Sequence, residues 1–559
     1  MPRIVNAIQN ERSIVIQAPF GLGKTIGYLL PVTYFAEGDQ RVCILCPTKT
    51  HQDQVLTHNY NEMSGVTVQP LLYYGVSNYE CPRKGGISSA AYCEAHWETC
   101  EKREEGTCQY ARDRDAAPNA QIMITNFAKF LSASPRELGV FDIIVIDESH
   151  GFEDAVRSYM QARIPRTMVE DSISELASFT EVDFSQAIAV LEQLRRCIDD
   201  ASIFVGEEDE IPPDVLDEIQ TLIMDNQGIL DEAEFHIEER MRNPAESSFF
   251  SLHKSLIKLL SRLQNRYDNI FLIYEAALLG TPRTERIQQQ HVTQRVGDAQ
   301  VVFVSATIER PDQHAADCGV VGKTVASFTW EEYPPERRRR RCLIALRGGP
   351  ILKKPATGVP LEERLRANMI IERALVNFQR RSLVLFRSHP DCRAAEAYLR
   401  RNPRITPRLH TILDEDIDIA QEKVNRLREN DIVLASASSR LWEGVDIPEL
   451  KMLIIDALPY VRPPPEIRSR TASLEYNLRK MTRRLQQGIG RLVRSDEDWG
   501  IALVVDGRLY RHRQRILPRL PRYIREDLQN SFITTTRLGE VMTDFIQQFE
   551  KTYTLEDFM

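Results

Sequence analysis

The chain has 559 residues, of which 42% are hydrophobic and 27% charged, and its formal net charge at pH 7 is −9. This length predicts more than one domain, and this composition is typical of soluble globular protein. No apolar run approaches the roughly 20 residues of a membrane helix, and the first residues lack a signal peptide's apolar core and cleavage site. We therefore expect an intracellular protein without a membrane partner, in which clustered cysteines are metal ligands rather than disulfides.

A phosphate loop is the first functional element that the chain predicts. Residues 13–17 are a short β-branched run, a glycine-containing turn follows, and a helical pattern begins near Lys24. Gly21 and Gly23 would let backbone N–H groups close around phosphate oxygens. Lys24 would reach the β- and γ-phosphates of ATP, and Thr25 would bind Mg²⁺.

A polar segment after the phosphate loop holds four of the ten cysteines, namely Cys81, Cys93, Cys100 and Cys108. Four thiolates at one site suit a [4Fe–4S] cluster, and by ligand type alone they equally suit Zn²⁺. Their spacing, C-x11-C-x6-C-x7-C, lacks the C-x2-C pair that is typical of zinc modules. His96 lies among them and could replace one of the two middle cysteines as a ligand.

The stretch "FDIIVIDESH", residues 141–150, is a continuous apolar run that ends in two carboxylates. A fully buried parallel strand has this pattern, and an open α/β sheet places its ligand at the carboxyl ends of its strands. We therefore expect Asp147 to hold Mg²⁺ through water. Glu148 is expected to orient and deprotonate the water that attacks the phosphate.

About 150 residues with a helical pattern follow this box. The helical stretches are residues 184–200, 212–243 and 251–279. Val215, Ile219 and Ile223 stand at i, i+4 spacing and form an apolar stripe. The segment is therefore predicted to be a helical insertion with its own core.

Further strand candidates recur along the chain, at residues 41–46, 121–125, 299–307, 382–386, 431–436, 452–458 and 501–506. Helical stretches separate many of them, which predicts two parallel sheets with covering helices. Gln487, Arg491 and Arg494 recur at helical spacing and would share one helix face. Two such arginines could stabilise charge on the γ-phosphate, so ATP would lie between the two sheets and its hydrolysis would open and close the cleft.

Two stretches are rich in basic residues. They are residues 337–341, which are five consecutive arginines, and residues 507–525. Each is either a nucleic-acid contact or a solvated surface.

These motifs, in this order, resemble the iron–sulfur XPD/DinG branch of superfamily 2 helicases. The matching stretches are "APFGLGKT", "DESH", "VSATI", "SSRLWEGVDIPEL", "ALPYVRPPPE" and "QGIGRLVR". "GVSNYEC", which ends at Cys81, is similar to the stretch that introduces the first cluster cysteine in that branch. Order and spacing agree from about residue 13 to 510.

The resemblance implies an α/β protein with two RecA-like parallel-sheet motor domains, an inserted iron–sulfur domain and an inserted, mostly helical arch domain. Motor domain 1 would comprise residues 1–72, 116–165 and 281–330, and motor domain 2 residues 331–559. The iron–sulfur domain would span residues 73–115 and the arch domain residues 166–280.

The resemblance also implies an ATP-dependent DNA helicase that moves 5′ to 3′ on single-stranded DNA, unwinds forked duplex DNA and serves DNA repair. Its cofactors would be ATP, Mg²⁺ and the [4Fe–4S] cluster. Residues that contact DNA or couple it to ATP would be Thr48, Ser305, Thr307, Trp442, Glu443 and Asp446. We expect a monomer, cytoplasmic in a prokaryote or nuclear in a eukaryote.

Two alternatives remain open at this stage. The chain could be a DNA-stimulated ATPase that remodels protein–DNA complexes without unwinding duplex. It could also be a non-enzymatic scaffold subunit, against which the intact catalytic residues argue.

Overall fold

Two parallel sheets form the framework of this protein. The computed structural model describes residues 1–559 except for 20–21, 64, 205–212, 242–246, 264–267, 274–276, 283–284, 309, 330–333, 353–359, 414–416, 437–440, 443–446, 462, 464–469, 494–496 and 550–559. The chain divides into two units. One contains Met1–Val15, Thr25–Phe303 and Asp312–Ala326, and the other contains Ile16–Lys24, Val304–Pro311 and Ser327–Met559.

The strands follow the apolar runs of the sequence, with a few short additions. They are β1 (Ser13–Gln17), β2 (Val42–Cys46), β3 (Leu71–Leu72), β4 (Glu80–Cys81), β5 (Gly86–Ile87), β6 (Ile122–Asn126), β7 (Ile143–Ile146), β8 (Ala162–Pro165), β9 (Asp268–Ile273), β10 (Ala277–Pro282), β11 (Gln300–Ser305), β12 (Val325–Thr329), β13 (Arg341–Leu346), β14 (Ser382–Phe386), β15 (Leu409–Ile412), β16 (Ile432–Ser436), β17 (Met452–Ile455), β18 (Gly500–Val504) and β19 (Phe532–Ile533).

The α-helices alternate with these strands or fill the insertion between them. They are α1 (Pro2–Gln9), α2 (Lys24–Glu37), α3 (Lys49–Gln54), α4 (Ala90–Ala95), α5 (Glu101–Glu104), α6 (Gln109–Ala116), α7 (Phe127–Ser132), α8 (Pro135–Leu138), α9 (Phe152–Met160), α10 (Arg166–Ser178), α11 (Ser185–Phe204), α12 (Pro213–Asp225), α13 (Gln227–Arg240), α14 (Ser248–Leu263), α15 (Glu285–Val296), α16 (Pro311–Asp317), α17 (Pro335–Arg339), α18 (Leu361–Asn377), α19 (His389–Leu399), α20 (Ile417–Asn425), α21 (Arg470–Ile489), α22 (Arg508–Arg511), α23 (Arg513–Ile516), α24 (Arg522–Gln529) and α25 (Leu538–Gln547). A π-helical segment, Val55–Tyr60, continues α3.

The first sheet has the strand order β12-β1-β11-β7-β2-β6-β3. Strand β2 is parallel to both of its neighbours, β6 and β7. Both β2 and β7 are buried along their whole length, as expected for strands inside a parallel sheet with covered faces. The carboxyl ends of parallel strands meet at one edge of a sheet, so the segments that follow β2 and β7 lie close together.

The second sheet has the strand order β15-β16-β14-β17-β18-β13-β19, and its neighbouring strands are all parallel. One apolar core covers each face of it, the first around Trp442 and Leu485 and the second around Ile371 and Phe378. The prediction of an α/β protein with two parallel sheets is therefore confirmed.

The insertion between β8 and α15 has its own apolar core, in which Ile219 and Ile223 are buried as the stripe predicts. The prediction that residues 251–279 are helical throughout is wrong, because α14 ends at Leu263. Strands β9 and β10 follow it, and β10 pairs antiparallel with both β9 and β8. Pairing across the chain thus overrides a local helical pattern. No helix in the described part of the chain is both long and apolar enough to cross a membrane.

Candidate functional site: an NTP-binding sheet edge and a cysteine-lined cavity

The phosphate-loop segment begins where β1 ends. The backbone N–H of Ala18 donates to the carbonyl of Ser305 at 3.1 Å, which ties this segment to the end of β11. Gly23 has φ +69, a backbone conformation that glycine adopts without strain. Helix α2 starts at Lys24, so the lysine lies at a helix N-terminus, where backbone N–H groups favour an anion. Gly21 lies outside the described residues.

Asp147 directly follows β7 and is buried, and its backbone N–H donates to the carbonyl of Leu45 at 2.9 Å. Its Oδ2 atom accepts a hydrogen bond from the Tyr28 hydroxyl at 2.8 Å and lies 3.1 Å from Nε2 of His51. Burial, and next the Asp147 charge, raise the pKa of Tyr28 well above its usual value. The phenol therefore stays protonated and donates to the carboxylate.

Glu148 adopts φ +45, which is rare for a residue with a side chain and marks a sharp turn. Its backbone N–H donates to Oδ1 of Asp147 at 2.9 Å, and its carboxylate lies 3.2 Å from Nδ1 of His150. The next residue, Ser149, has its hydroxyl 2.8 Å from Nε2 of His314. Strained backbone of this kind is concentrated at functional sites.

Sequence reasoning missed Tyr28 and His51. Tyr28 follows Lys24 by four residues and so lies one turn further along α2. His51 lies in the first turn of α3, three residues after the N-cap Thr48, whose hydroxyl accepts from the His51 backbone N–H at 3.2 Å. The sequence shows only a polar side chain in the first turn or so of each predicted helix. That pattern does not show that both side chains reach the same carboxylate.

Ser305 and Thr307, both predicted coupling residues, are buried at the end of β11. The backbone N–H of Thr307 donates to the Ser305 hydroxyl at 3.2 Å. The Thr307 hydroxyl has no hydrogen-bond partner among the residues that the structure describes. A buried hydroxyl without a partner is costly and is often explained by function.

In the second unit, Gln487 is buried on α21, but the prediction that it shares one helix face with Arg491 is wrong, because α21 ends at Ile489. Glycines at 488 and 490 weaken the helix there. Nε of Arg491 donates to the carbonyl of Trp442 at 3.1 Å. Arg494, Glu443 and Asp446 lie outside the described residues.

Trp442 is a core residue. Of its two predicted roles, contact with DNA and coupling of DNA to ATP, the buried side chain does not fit the first. It is only 1% exposed, and its indole N–H donates to the carbonyl of Arg484 at 3.0 Å. A buried ring cannot stack on a base. Trp442 can still act beside the predicted ATP site, because its backbone carbonyl accepts the hydrogen bond from Arg491, a predicted ATP contact.

Two arginines of the five-arginine stretch form ion pairs within the second unit. Arg338 binds Asp527 at 2.6 Å and Glu526 at 2.9 Å, and Arg341 also binds Asp527, at 2.7 Å. Arg341 is buried in β13. These ion pairs favour a structural role over a nucleic-acid contact for Arg338 and Arg341.

The second basic stretch is divided between paired and exposed arginines. The buried Arg508 binds Asp506 at 2.6 Å. By contrast, the ring of Tyr510 lies near two guanidinium groups, at 5.5 Å from that of Arg347 and 4.4 Å from that of Arg513. Aromatic rings with arginines beside them are found on surfaces that bind nucleic acid.

The four clustered cysteines, Cys81, Cys93, Cys100 and Cys108, line one cavity, and His96 lines it too. Burial, as the largest cause, raises the pKa of Cys93 to about 11. Nδ1 of His96 lies 2.9 Å from the carbonyl of Tyr92. The structure thus brings the predicted ligands to a common space.

The chemistry of this donor set fits a metal centre, since four thiols and one imidazole line the same cavity. The elements around it are short: β4 and β5 have two residues each, and α4 has six. A small region of this kind gains little stability from its own core, and such regions are usually cross-linked by metals or disulfides. In the part of the chain that the structure describes, however, no three His, Cys, Asp or Glu side chains already stand in the arrangement of a metal site.

Two sequence families match this chain. The family described as Helicase C-terminal domain matches residues 371–527, and the family described as Type III restriction enzyme, res subunit, matches residues 1–170. A probable ATP-dependent helicase of Methanocaldococcus jannaschii is 26% identical over 91% of this chain and 90% of its own length. The ATP-dependent DNA helicase YoaA of Escherichia coli is 23% identical over 90% of each chain.

Solved structures of XPD share the fold. One XPD helicase structure has a TM-score of 0.63 at 13% identity and covers 92% of this chain and 97% of its own. An apo XPD structure has a TM-score of 0.64 at 14% identity and covers 95% of this chain and 98% of its own.

Proposed function

We propose that this chain is an ATP-dependent helicase of the XPD/DinG-like branch of superfamily 2, and that it couples ATP hydrolysis to 5′-to-3′ movement on single-stranded DNA and to separation of forked duplex DNA. The resemblance of its motifs extends this proposal to a role in DNA repair and to action as a monomer. Both motor sheets carry the polar segments that such an enzyme needs at their strand ends.

One observation carries the proposal furthest. The 2.8 Å hydrogen bond from Tyr28 to Asp147 joins the helix that begins with Lys24 to the carboxylate that follows β7. A phosphate-binding lysine and a Mg²⁺-binding carboxylate must meet around the same nucleotide. This hydrogen bond supports a common site for them at one edge of the first sheet.

The proposed roles of these residues follow from their chemistry. Lys24 holds the β- and γ-phosphates, and Thr25 and Asp147 hold Mg²⁺, Asp147 through water. When bound, Mg²⁺ neutralises charge that develops on the phosphate oxygens. Glu148 orients the attacking water and takes its proton. Arg491 and Arg494, with Gln487, are proposed to contact ATP and to stabilise negative charge on the transferred phosphoryl group.

Each sheet is proposed to contact single-stranded DNA near its carboxyl edge, mainly through the DNA phosphates. In the first sheet, Thr48 and Lys49 open α3 directly after β2, and Lys49 is exposed. In the second unit, Arg347 directly follows β13, and its guanidinium group and that of Arg513 lie near the ring of Tyr510. Contacts of this kind tolerate any sequence, so DNA affinity should fall steeply with salt.

Direction of movement is tested with streptavidin on biotinylated single-stranded DNA. An enzyme that moves 5′ to 3′ pushes streptavidin from a 3′ biotin in the presence of ATP and leaves a 5′ biotin occupied. Release from the 5′ biotin alone would contradict the proposed polarity, and release from neither would contradict movement along DNA.

Cys81, Cys93, Cys100 and Cys108 are proposed to hold a [4Fe–4S] cluster, with Zn²⁺ as the alternative metal. The support is their convergence on one cavity and the shortness of the surrounding elements. When bound, the cluster would cross-link the segments of a region that has little apolar core of its own.

Replacing Cys81 by serine is expected to remove most of the iron and the visible absorbance of anaerobically purified protein, because a cluster of this type needs its thiolate ligands. Cys342→Ser, which removes a half-buried thiol of the second unit, is the matched control and should leave both unchanged. One zinc ion per wild-type chain would favour Zn²⁺ over the [4Fe–4S] cluster as the metal at this site. Iron content unchanged by Cys81→Ser would contradict ligation by this residue.

A further inference from the structure

One oxygen of the Asp147 carboxylate is contacted from two different helices. Its Oδ2 atom accepts from the hydroxyl of Tyr28 on α2 at 2.8 Å and lies 3.1 Å from Nε2 of His51 on α3. A carboxylate oxygen offers about two lone-pair sites, so Tyr28 and, in the tautomer with a proton on Nε2, His51 fill Oδ2. Among the described residues, Oδ1 accepts the backbone N–H of Glu148 at 2.9 Å and has one site for a further donor. The two helices together therefore fix how the carboxylate presents its remaining acceptor.

The two donors differ in their access to solvent. Tyr28 is fully buried, and the Asp147 side chain is only 3% exposed, whereas the His51 side chain is 27% exposed. Hydrogen bonds in such a poorly solvated place hold a carboxylate strongly. A molecule that binds at the surface of this sheet edge would therefore meet His51 before it meets Tyr28.

His51 is also tied to the segment that is proposed to contact DNA. Thr48 caps α3, and its hydroxyl accepts the backbone N–H of His51 at 3.2 Å. The first residue of the helix, Lys49, is exposed. Because residues 48 to 51 form a single capped turn, a shift of Thr48 or Lys49 moves the backbone of His51 and with it the imidazole.

We propose that His51 is a positioning residue that transmits the binding of single-stranded DNA at Thr48 and Lys49 to the carboxylate of Asp147. In the tautomer with a proton on Nε2, the imidazole donates to Oδ2 and so orients the Asp147 carboxylate, which would hold Mg²⁺ through water. Binding of a strand changes the position of α3, and His51 turns that change into faster ATP turnover. This inference rests on the proposed DNA contact of α3.

Tyr28 supplies an internal control, because it contacts the same oxygen from a helix that is not proposed to bind DNA. Tyr28→Phe removes one donor from Oδ2 and should lower ATP turnover in equal proportion with and without DNA. His51→Ala removes the other donor and should lower DNA-stimulated turnover by about tenfold more than DNA-independent turnover, within the range seen when residues behind a metal ligand are replaced.

The experiment measures steady-state ATP turnover of the full chain with and without a poly-deoxythymidine oligonucleotide, at saturating ATP and Mg²⁺. His51→Gln retains an amide donor at a distance along the side chain similar to that of Nε2, so it should recover part of the stimulation, whereas the shorter His51→Asn should not. Fluorescence anisotropy should give the same oligonucleotide affinity for wild type and His51→Ala, because the ring is not itself a DNA contact. A thermal melt of each variant verifies folding.

Three results would overturn the inference. His51→Ala and Tyr28→Phe could lower stimulated and unstimulated turnover in the same proportion, which would make His51 a structural residue only. His51→Ala could lose oligonucleotide affinity, which would make it a DNA contact. Wild-type turnover that does not change when the oligonucleotide is added would contradict the proposed function itself. This outcome is distinct from failure of the inference about His51, because it is seen without any variant.

Discussion

Replacing Lys24 by alanine is expected to lower ATP hydrolysis by about 100-fold to 1,000-fold and to abolish every ATP-driven movement of the protein. Lys24 begins α2 at the end of the phosphate-loop segment, where a single cation must neutralise charge on two phosphate groups. Alanine keeps the helix, because it is the residue that favours helices most. The loss should therefore arise from the missing ammonium group and not from unfolding.

Steady-state ATP turnover with saturating oligonucleotide measures this loss, and a thermal melt verifies that the variant is folded. Lys423→Ala is the matched control, since it removes the same charge from an exposed position on α20. Turnover of Lys24→Ala within about threefold of the wild type would contradict the placement of ATP phosphates at this loop.

Arg491→Ala is expected to lower the maximal rate of ATP hydrolysis by about 1,000-fold while ATP affinity changes little. The arginine lies just past the end of α21, where the carbonyl of Trp442 fixes its Nε at 3.1 Å. An arginine that stabilises charge only in the transition state contributes to the rate and not to ground-state binding.

Single-turnover hydrolysis and nucleotide binding, measured separately, distinguish these two effects. Arg491→Lys should recover little, because an ammonium group cannot reproduce the planar fork of a guanidinium. Arg401→Ala removes an arginine from an exposed position of the second unit and should hydrolyse ATP like the wild type. A parallel loss of ATP affinity and rate in Arg491→Ala would make this residue a ground-state contact.

The sheets were predictable because their strands are apolar runs of the length that buried parallel strands have. β1 and β14 have the predicted bounds, and the acidic box follows β7 as its pattern indicates. β12 and β15 were missed because Val325–Thr329 and Leu409–Ile412 are only partly buried edge strands, whose polar residues hide the apolar pattern. The apolar periodicity of a strand reflects its burial. An edge strand is less buried, so its apolar pattern is weaker.

The composition of the site was predictable only where one segment holds several functional residues. Lys24 and Thr25, and likewise Asp147 and Glu148, are neighbours in sequence. The link from His51 to Asp147 spans 96 positions and depends on how α3 packs against β2, the neighbour of β7 in the sheet. The burial of Trp442 likewise results from the packing of α21 over the second sheet, and a short motif around the residue cannot show it.

ATP hydrolysis by this chain is proposed to separate DNA strands. The most direct test mixes anaerobically purified protein, ATP and Mg²⁺ with duplexes that carry a 5′ tail, a 3′ tail or no tail. Release of the labelled strand from the 5′-tailed duplex, lost in Lys24→Ala, is the predicted result. DNA-stimulated hydrolysis without release from any duplex would contradict the helicase account and favour a remodelling ATPase.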